Sequence, residues 1–393
     1  MAYDFDTPVR RLGTDSVKWD GLTNRFGQKN LISMWVADMD FVSPPAVVEA
    51  LQQRVAHGVY GYTRRPEDYF GALARWQNTR HNWEVDPQWV AHAPGVVASL
   101  NLLIQTFTGP GDKVMIQPPV YYPFYEVISR NKRRVVENPL AFDGTRYTMD
   151  FEDAAKKLAD GVKMVILCSP HNPVGRVWTR EELTRFGELC LSYGVLVVSD
   201  EIHGDLIYSQ YTHTPFAAIT EDFANHCVTC VSPSKTFNLA GFHSSAVVLQ
   251  NSNLRQRYLA TLGQLALDFT QPLTAVAFMA AYQQGGPWLD ELLQYLQDNL
   301  AFVEKFMLER VPSVRVIHPE GTYLVWLDFR QLGLSSKELD HFIIDKAGLA
   351  LDEGHIFGAA GEGFQRLNIA CPRLVLQQAM MQLDLAVESR RLK

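Results

Sequence analysis

The sequence predicts an α/β protein. A large domain carries a mostly parallel, doubly wound sheet, and a smaller α+β domain follows it. Three observations point there. Residues 163–168 (KMVILC) and 195–199 (VLVVS) are short continuous apolar runs, which suit strands buried on both faces of a parallel sheet. Between them Thr179-Arg180-Glu181-Glu182 caps a helix that reaches Tyr193, with Gly194 as its stop, so strand and helix alternate. After Gly285-Gly286-Pro287 the rhythm changes to one long helix and then mixed short elements. The expected division is an arm over residues 1–45 packing with the small domain, a large domain over 46–285, and a small domain over 286–393.

The elements follow in order. The first forty residues are irregular and aromatic (Trp19, Phe26, Trp35), a segment suited to draping over another surface. Ser43-Pro44-Pro45 starts a helix, with Ser43 as N-cap and proline in the first turn. Val47, Val48, Leu51 and Val55 form its apolar face, and Gly58 ends it before a loop at Gly61-Tyr62. Strands are expected at 89–93, 113–117, 228–231 and 245–249, with helices opening at Gly95 and spanning 122–129. Beyond residue 287 come a helix over 288–309, a strand over 322–327, a helix over 335–346, a strand over 364–369 and a last helix from Arg373.

Composition bounds the function. The chain has 393 residues, 47% hydrophobic and 20% charged, as a globular enzyme requires. A net charge of −7 without a basic run speaks against a nucleic-acid-binding face. No run approaches the apolar length that spans a bilayer, so no membrane association is expected. Met1-Ala2-Tyr3-Asp4-Phe5-Asp6 is acidic and lacks an apolar core, unlike a signal peptide. Five scattered cysteines, an odd number, argue against a disulfide framework and for a reducing cytoplasm. Cys227 and Cys230 form a lone C-x-x-C on a predicted strand, pointing to opposite faces, and read as core rather than as a metal site.

The chemistry gathers at strand ends, where open α/β sheets bind ligands. Ser232-Pro233-Ser234-Lys235 follows the run at 228–231. Its hydroxyls can bind phosphate and its lysine can form an imine, the two requirements of pyridoxal 5′-phosphate. Gly95-Val96-Val97 supplies free helix N–H groups for an anion. Tyr121, after a strand, can stack on a pyridine ring. Asn172, in Asn172-Pro173-Val174-Gly175, can face the cofactor's phenolic oxygen and a substrate carboxylate, although the same motif also makes an ordinary turn. Asp200 can pair with a protonated pyridine nitrogen. Ile202 lies on the same side of an extended chain and can cover the other ring face, and His203 can bond the 3′-oxygen. A metal set from Asp200, Glu201, His203 and Asp205 is the competing reading.

The order and spacing of these residues resembles the fold-type I pyridoxal-phosphate enzymes related to class I and II aminotransferases. Arg366, in Phe364-Gln365-Arg366-Leu367-Asn368, matches that group's substrate-carboxylate arginine, whose fork meets a carboxylate with two hydrogen bonds. The blocks Trp35-Val36-Ala37-Asp38-Met39-Asp40-Phe41, Gly58-Val59-Tyr60-Gly61-Tyr62, Ser199-Asp200-Glu201-Ile202-His203, Tyr282-Gln283-Gln284-Gly285 and Arg366-Leu367-Asn368-Ile369-Ala370-Cys371-Pro372-Arg373 look more specifically like the MalY/PatB-type cysteine-S-conjugate β-lyases over the whole chain. The resemblance implies cleavage of cystathionine or related S-conjugates to a thiol, pyruvate and ammonia. Lys235 would be tether and base, helped by Tyr121, with Ala37 beside the substrate. It also implies a homodimer in which Tyr62 reaches the partner's cofactor phosphate. Two positions depart from the wider pattern: His243 stands where many relatives carry a phosphate-binding arginine, and His203 where many carry tyrosine. The rivals are an aminotransferase, which shares every cofactor residue, and a regulatory protein that keeps the cofactor and binds a transcription activator. About forty residues precede the core pattern, too few for a fused DNA-binding domain.

Overall fold

Seven strands form the central sheet: β1 (Val90–Ala93), β2 (Lys113–Ile116), β3 (Arg134–Glu137), β4 (Val162–Cys168), β5 (Leu196–Asp200), β6 (Cys227–Val231) and β7 (Ser245–Val248). Their spatial order is β1-β7-β6-β5-β4-β2-β3. The strands from β6 across to β3 pair in parallel, and β7 runs antiparallel to both its neighbours. The computed structural model describes residues 2–391.

Side chains alternate along each strand and fill two cores. In β4, Met164, Ile166 and Cys168 join one core, beneath the helices Val96–Phe107, Pro123–Arg130 and Ser252–Gln264. Val165 and Leu167 join the other, larger core with Leu183 and Phe186 of the helix Arg180–Ser192. This two-sided burial explains the uninterrupted apolar runs. Thr179 caps Arg180–Ser192 as expected: its hydroxyl accepts from the Glu182 N–H, and the Glu182 carboxylate accepts from the Thr179 N–H at 2.9 Å.

A second sheet, antiparallel, orders Arg315–Ile317, Leu324–Asp328, Phe364–Asn368 and Asp352–Glu353. The helices Gly286–Arg310 and Arg373–Arg391 accompany it in sequence. Ile32–Ser33 pairs in parallel with Leu349–Ala350, which ties the N-terminal segment to the later part of the chain. Among the described residues no helix is long and apolar enough to cross a membrane.

Several local expectations differ from the structure. Ser43 does not cap the first long helix: Pro44 holds the N-cap of Pro45–Ala56, and the Ser43 hydroxyl donates to the Asn238 carbonyl at 3.2 Å. The helix expected over 335–346 changes at Phe342 from α (Ser336–His341) to a wider π turn (Phe342–Lys346). The edge strand β3 and the small Ala141–Phe142/Tyr147–Thr148 pair had no counterpart in the sequence reading. Cys227 and Cys230 lie buried in β6, and all five cysteines are free.

Candidate active site

Loops at the carboxyl ends of β4, β5 and β6 converge on a cavity of about 320 Å³. Lys235 enters it from a one-turn helix, Pro233–Thr236, directly after β6. Its Nζ donates to the Ala37 carbonyl at 2.6 Å. Enclosure pushes the amine down to about 8, against an opposing pull from Asp38. Asp200, the last residue of β5, is buried, and among the described residues its Oδ1 accepts only from the Ile202 N–H, at 3.2 Å. Burial raises this carboxyl to about 7. A buried carboxylate so thinly solvated by protein calls for a cation beside it.

The Ala37 oxygen is held in place from three sides. Asn238 accepts from the Met39 N–H and donates to the carbonyls of Met39 and Phe41. Asn368 donates to the carbonyls of Val36 and Asp38. Tyr323 also donates to Ala37, at 2.9 Å. Asn238 adopts φ +59, which asparagine tolerates better than most residues.

Gly95, at φ +95, turns the chain from β1 into the helix Val96–Phe107, and Gly95, Val96 and Val97 line the cavity. Tyr121, Ile202 and Asn172 line it too. His203 is buried, its Nδ1 lacks a hydrogen-bond partner, and burial holds the ring neutral, well below its ordinary value. Arg366 stands behind Asn172 rather than in the cavity wall. Its Nη1 donates to Asn172 Oδ1 at 3.0 Å, its Nη2 to the Trp35 carbonyl at 2.9 Å, and it forms a close ion pair with Asp352. Arg366 Nε is buried without a partner.

Two expected residues sit differently. Ser232 is buried outside the cavity lining, with its hydroxyl donating to the Ser244 carbonyl at 2.6 Å and 2.8 Å from Ser234 Oγ. Tyr62 is fully exposed and does not reach the cavity of its own chain. The competing metal set does not converge. Glu201 accepts from Ser199 and Phe216 and meets His213, while Asp205 takes Trp76, His81 and Thr236. Sequence reasoning missed Cys168, Ser244 and Asp352. The first two are ordinary residues at strand boundaries. Asp352 is opposite Arg366 only because their strands pair.

The residues present fit pyridoxal phosphate. The unpartnered His203 Nδ1, the thinly bonded Asp200 and the helix amides at Gly95–Val97 are complementary to a ring oxygen, a ring cation and a phosphate. The model for "Aminotransferase class I and II" matches residues 29–383. The chain belongs to the class I and II aminotransferase family. Within that family it is 45% identical to cystathionine beta-lyase PatB of Bacillus subtilis (strain 168) over 98% of this chain and 100% of that protein. It is 36% identical to protein MalY of Escherichia coli (strain K12) over 99% of this chain and all of that one. The crystal structure of cystalysin from Treponema denticola, which contains pyridoxal 5′-phosphate, superposes with a TM-score of 0.96 at 36% identity, covering 99% of this chain and 100% of that chain. The α/β architecture is thus that of the family.

Proposed function

We propose that the chain is a pyridoxal-phosphate-dependent carbon–sulfur β-lyase. It cleaves L-cystathionine or related S-substituted cysteines to a thiol, pyruvate and ammonia. The deciding observation is the 45% identity, over essentially the full length, to a named cystathionine β-lyase. The site residues alone would serve a transaminase equally well.

When bound, the cofactor supplies an aldehyde for the substrate amine and a ring that stabilises negative charge at Cα. Lys235 would hold it covalently and, released when the substrate amine takes its place, would take the Cα proton as a neutral amine. Asp200 would pair with the ring nitrogen and keep it protonated. Tyr121 and Ile202, which line the cavity, would pack against the ring. Tyr121, which burial keeps protonated, also assists proton transfer. His203 and Asn172 would hold the ring oxygen. The Gly95–Val97 amides and Ser234 bind phosphate, and Ser232 serves by orienting Ser234. Arg366 and Asn172 hold the substrate carboxylate beside the Ala37 carbonyl. As the Cβ–S bond breaks, the thiolate leaves with the bonding pair. The remaining 2-aminoacrylate is hydrolysed to pyruvate and ammonia.

The same reading includes a homodimer. Val55, Val59, Tyr60 and Tyr62 form an exposed apolar stretch at 49%, 63%, 53% and 104% relative exposure, the kind of surface that a partner covers. Tyr62 would then complete the partner's phosphate site. We also retain the arm, large-domain and small-domain division at residues 45 and 285, supported by the pairing of Ile32–Ser33 with Leu349–Ala350. Five free cysteines suit a cytoplasmic enzyme.

The test is incubation of the cofactor-loaded protein with L-cystathionine and no added keto acid. Continuous release of pyruvate is expected. Amino-group transfer to an added keto acid, without pyruvate from cystathionine, would replace the lyase by an aminotransferase.

A further inference from the structure

A second cavity, of about 530 Å³, adjoins the first. Arg366 stands between them. Its Nη1 bonds Asn172, which lines the first cavity, and its Nη2 bonds Asp352 and the carbonyl of Trp35, which line the second. The adjacent residues Tyr121 and Tyr122 divide the same way, one to each cavity, with ring centroids 5.5 Å apart.

The first cavity is at the low end for one small-molecule ligand. It has to hold the cofactor and the amino-acid head of the substrate, so a bulky group on sulfur must leave it. The second cavity offers the walls such a group needs. Trp35, Tyr122, Tyr125 and Ile356 are apolar surface for a thioether chain. Arg25 adds an exposed guanidinium, of which one nitrogen is engaged by Glu353. Its remaining N–H donors can take a carboxylate. Glu126, at the same cavity, is already paired with Arg130 at 2.8 Å and so adds no free charge to it.

We propose that this second cavity is the subsite for the sulfur substituent, and that Arg25 selects substrates whose leaving thiol carries a carboxylate. The inference rests on the β-lyase reading. It places the departing thiol in a compartment separate from the cofactor, with Arg366 as the partition.

The experiment compares kcat/KM for L-cystathionine, which carries the distal carboxylate, with kcat/KM for S-ethyl-L-cysteine, which does not. Arg25→Met should lower the ratio of the two by about tenfold, through KM for cystathionine, as expected for one charged hydrogen bond. Because Arg25→Met leaves Glu353 unpaired, the double variant Arg25→Met/Glu353→Gln is measured beside it and should show the same fall. An unchanged ratio in both variants, with S-ethyl-L-cysteine still giving pyruvate, overturns the subsite and leaves the lyase reading intact. Pyruvate from neither substrate with the unaltered protein overturns the lyase reading, and the subsite with it.

Discussion

Lys235 and Asp200 face one cavity, and burial moves both toward neutrality: the amine falls to about 8 and the carboxyl rises to about 7. Each shift removes charge that water no longer solvates. The consequence for Lys235 has a definite sign. A base works only unprotonated, so kcat should be low below its pKa and rise as pH rises through it. The rising limb of the kcat profile is expected near 8 and not at the ordinary lysine value of 10.5. A limb at the ordinary value would remove Lys235 as the base. Lys235→Ala should lower kcat by roughly a hundredfold to ten-thousandfold, and should abolish the visible absorbance of covalently held cofactor. Near-normal pyruvate formation by that variant would contradict the assignment. Lys235 was legible because a lysine after a strand, beside two hydroxyls, is a local pattern. Asp352 was not, because its contact with Arg366, 14 residues on, arises from the pairing of two antiparallel strands and not from a local motif.

At the scale of elements, the site depends on how β1 passes into the helix Val96–Phe107. Gly95 makes that turn at φ +95 and ψ 151, a conformation closed to most side chains. Space is not the obstacle, since a Cβ there would meet nothing nearer than 3.9 Å, at His243. Gly95→Ala should therefore act through the backbone, costing about 1–3 kcal/mol. It should appear as a lower thermal midpoint together with a weaker Kd for pyridoxal phosphate. A normal Kd would show that the Gly95–Val97 amides do not hold the phosphate. The elements themselves were readable where a local signal existed: the apolar runs of β4 and β5, or the Thr179–Glu182 capping box. β3 was not readable. Its sequence, Arg-Val-Val-Glu, is an edge strand with exposed ends and only two partly buried residues, and it exists because β2 offers it a free edge. Ser43 failed as a cap because Asn238, nearly two hundred residues away, engages its hydroxyl.

For the whole molecule, the question is whether one chain makes a complete site. Tyr62 does not line its own cavity and sits amid an exposed apolar stretch. If two copies share their sites, Lys235→Ala and Tyr62→Ala homodimers are each impaired. A mixed dimer, however, carries one site with both defects and one with neither. Unfolding and refolding the two variants together should then restore activity above the sum of the parents, toward a quarter of normal, since about half of random dimers are mixed and each has one intact site of two. No gain on mixing, with dimers verified by light scattering, would place Tyr62 outside the partner's site.

The sequence by itself determined the alternation of strands and helices, the strand ends and turns near which Gly95, Tyr121, Asn172, Asp200 and Lys235 lie, and the chemistry those residue types share. Each is encoded within a few neighbouring residues. Tertiary structure alone decided three matters. The Ala37 carbonyl meets Lys235 because Asn238 and Asn368 bond the backbone on either side of it. Arg366 is shared between Asn172 and Asp352. Two cavities lie on either side of that guanidinium. Most of these contacts join segments 194 to 332 residues apart, the Arg366–Asp352 pair rests on a strand pairing across 14 residues, and neither kind leaves a periodicity in the chain that forms it.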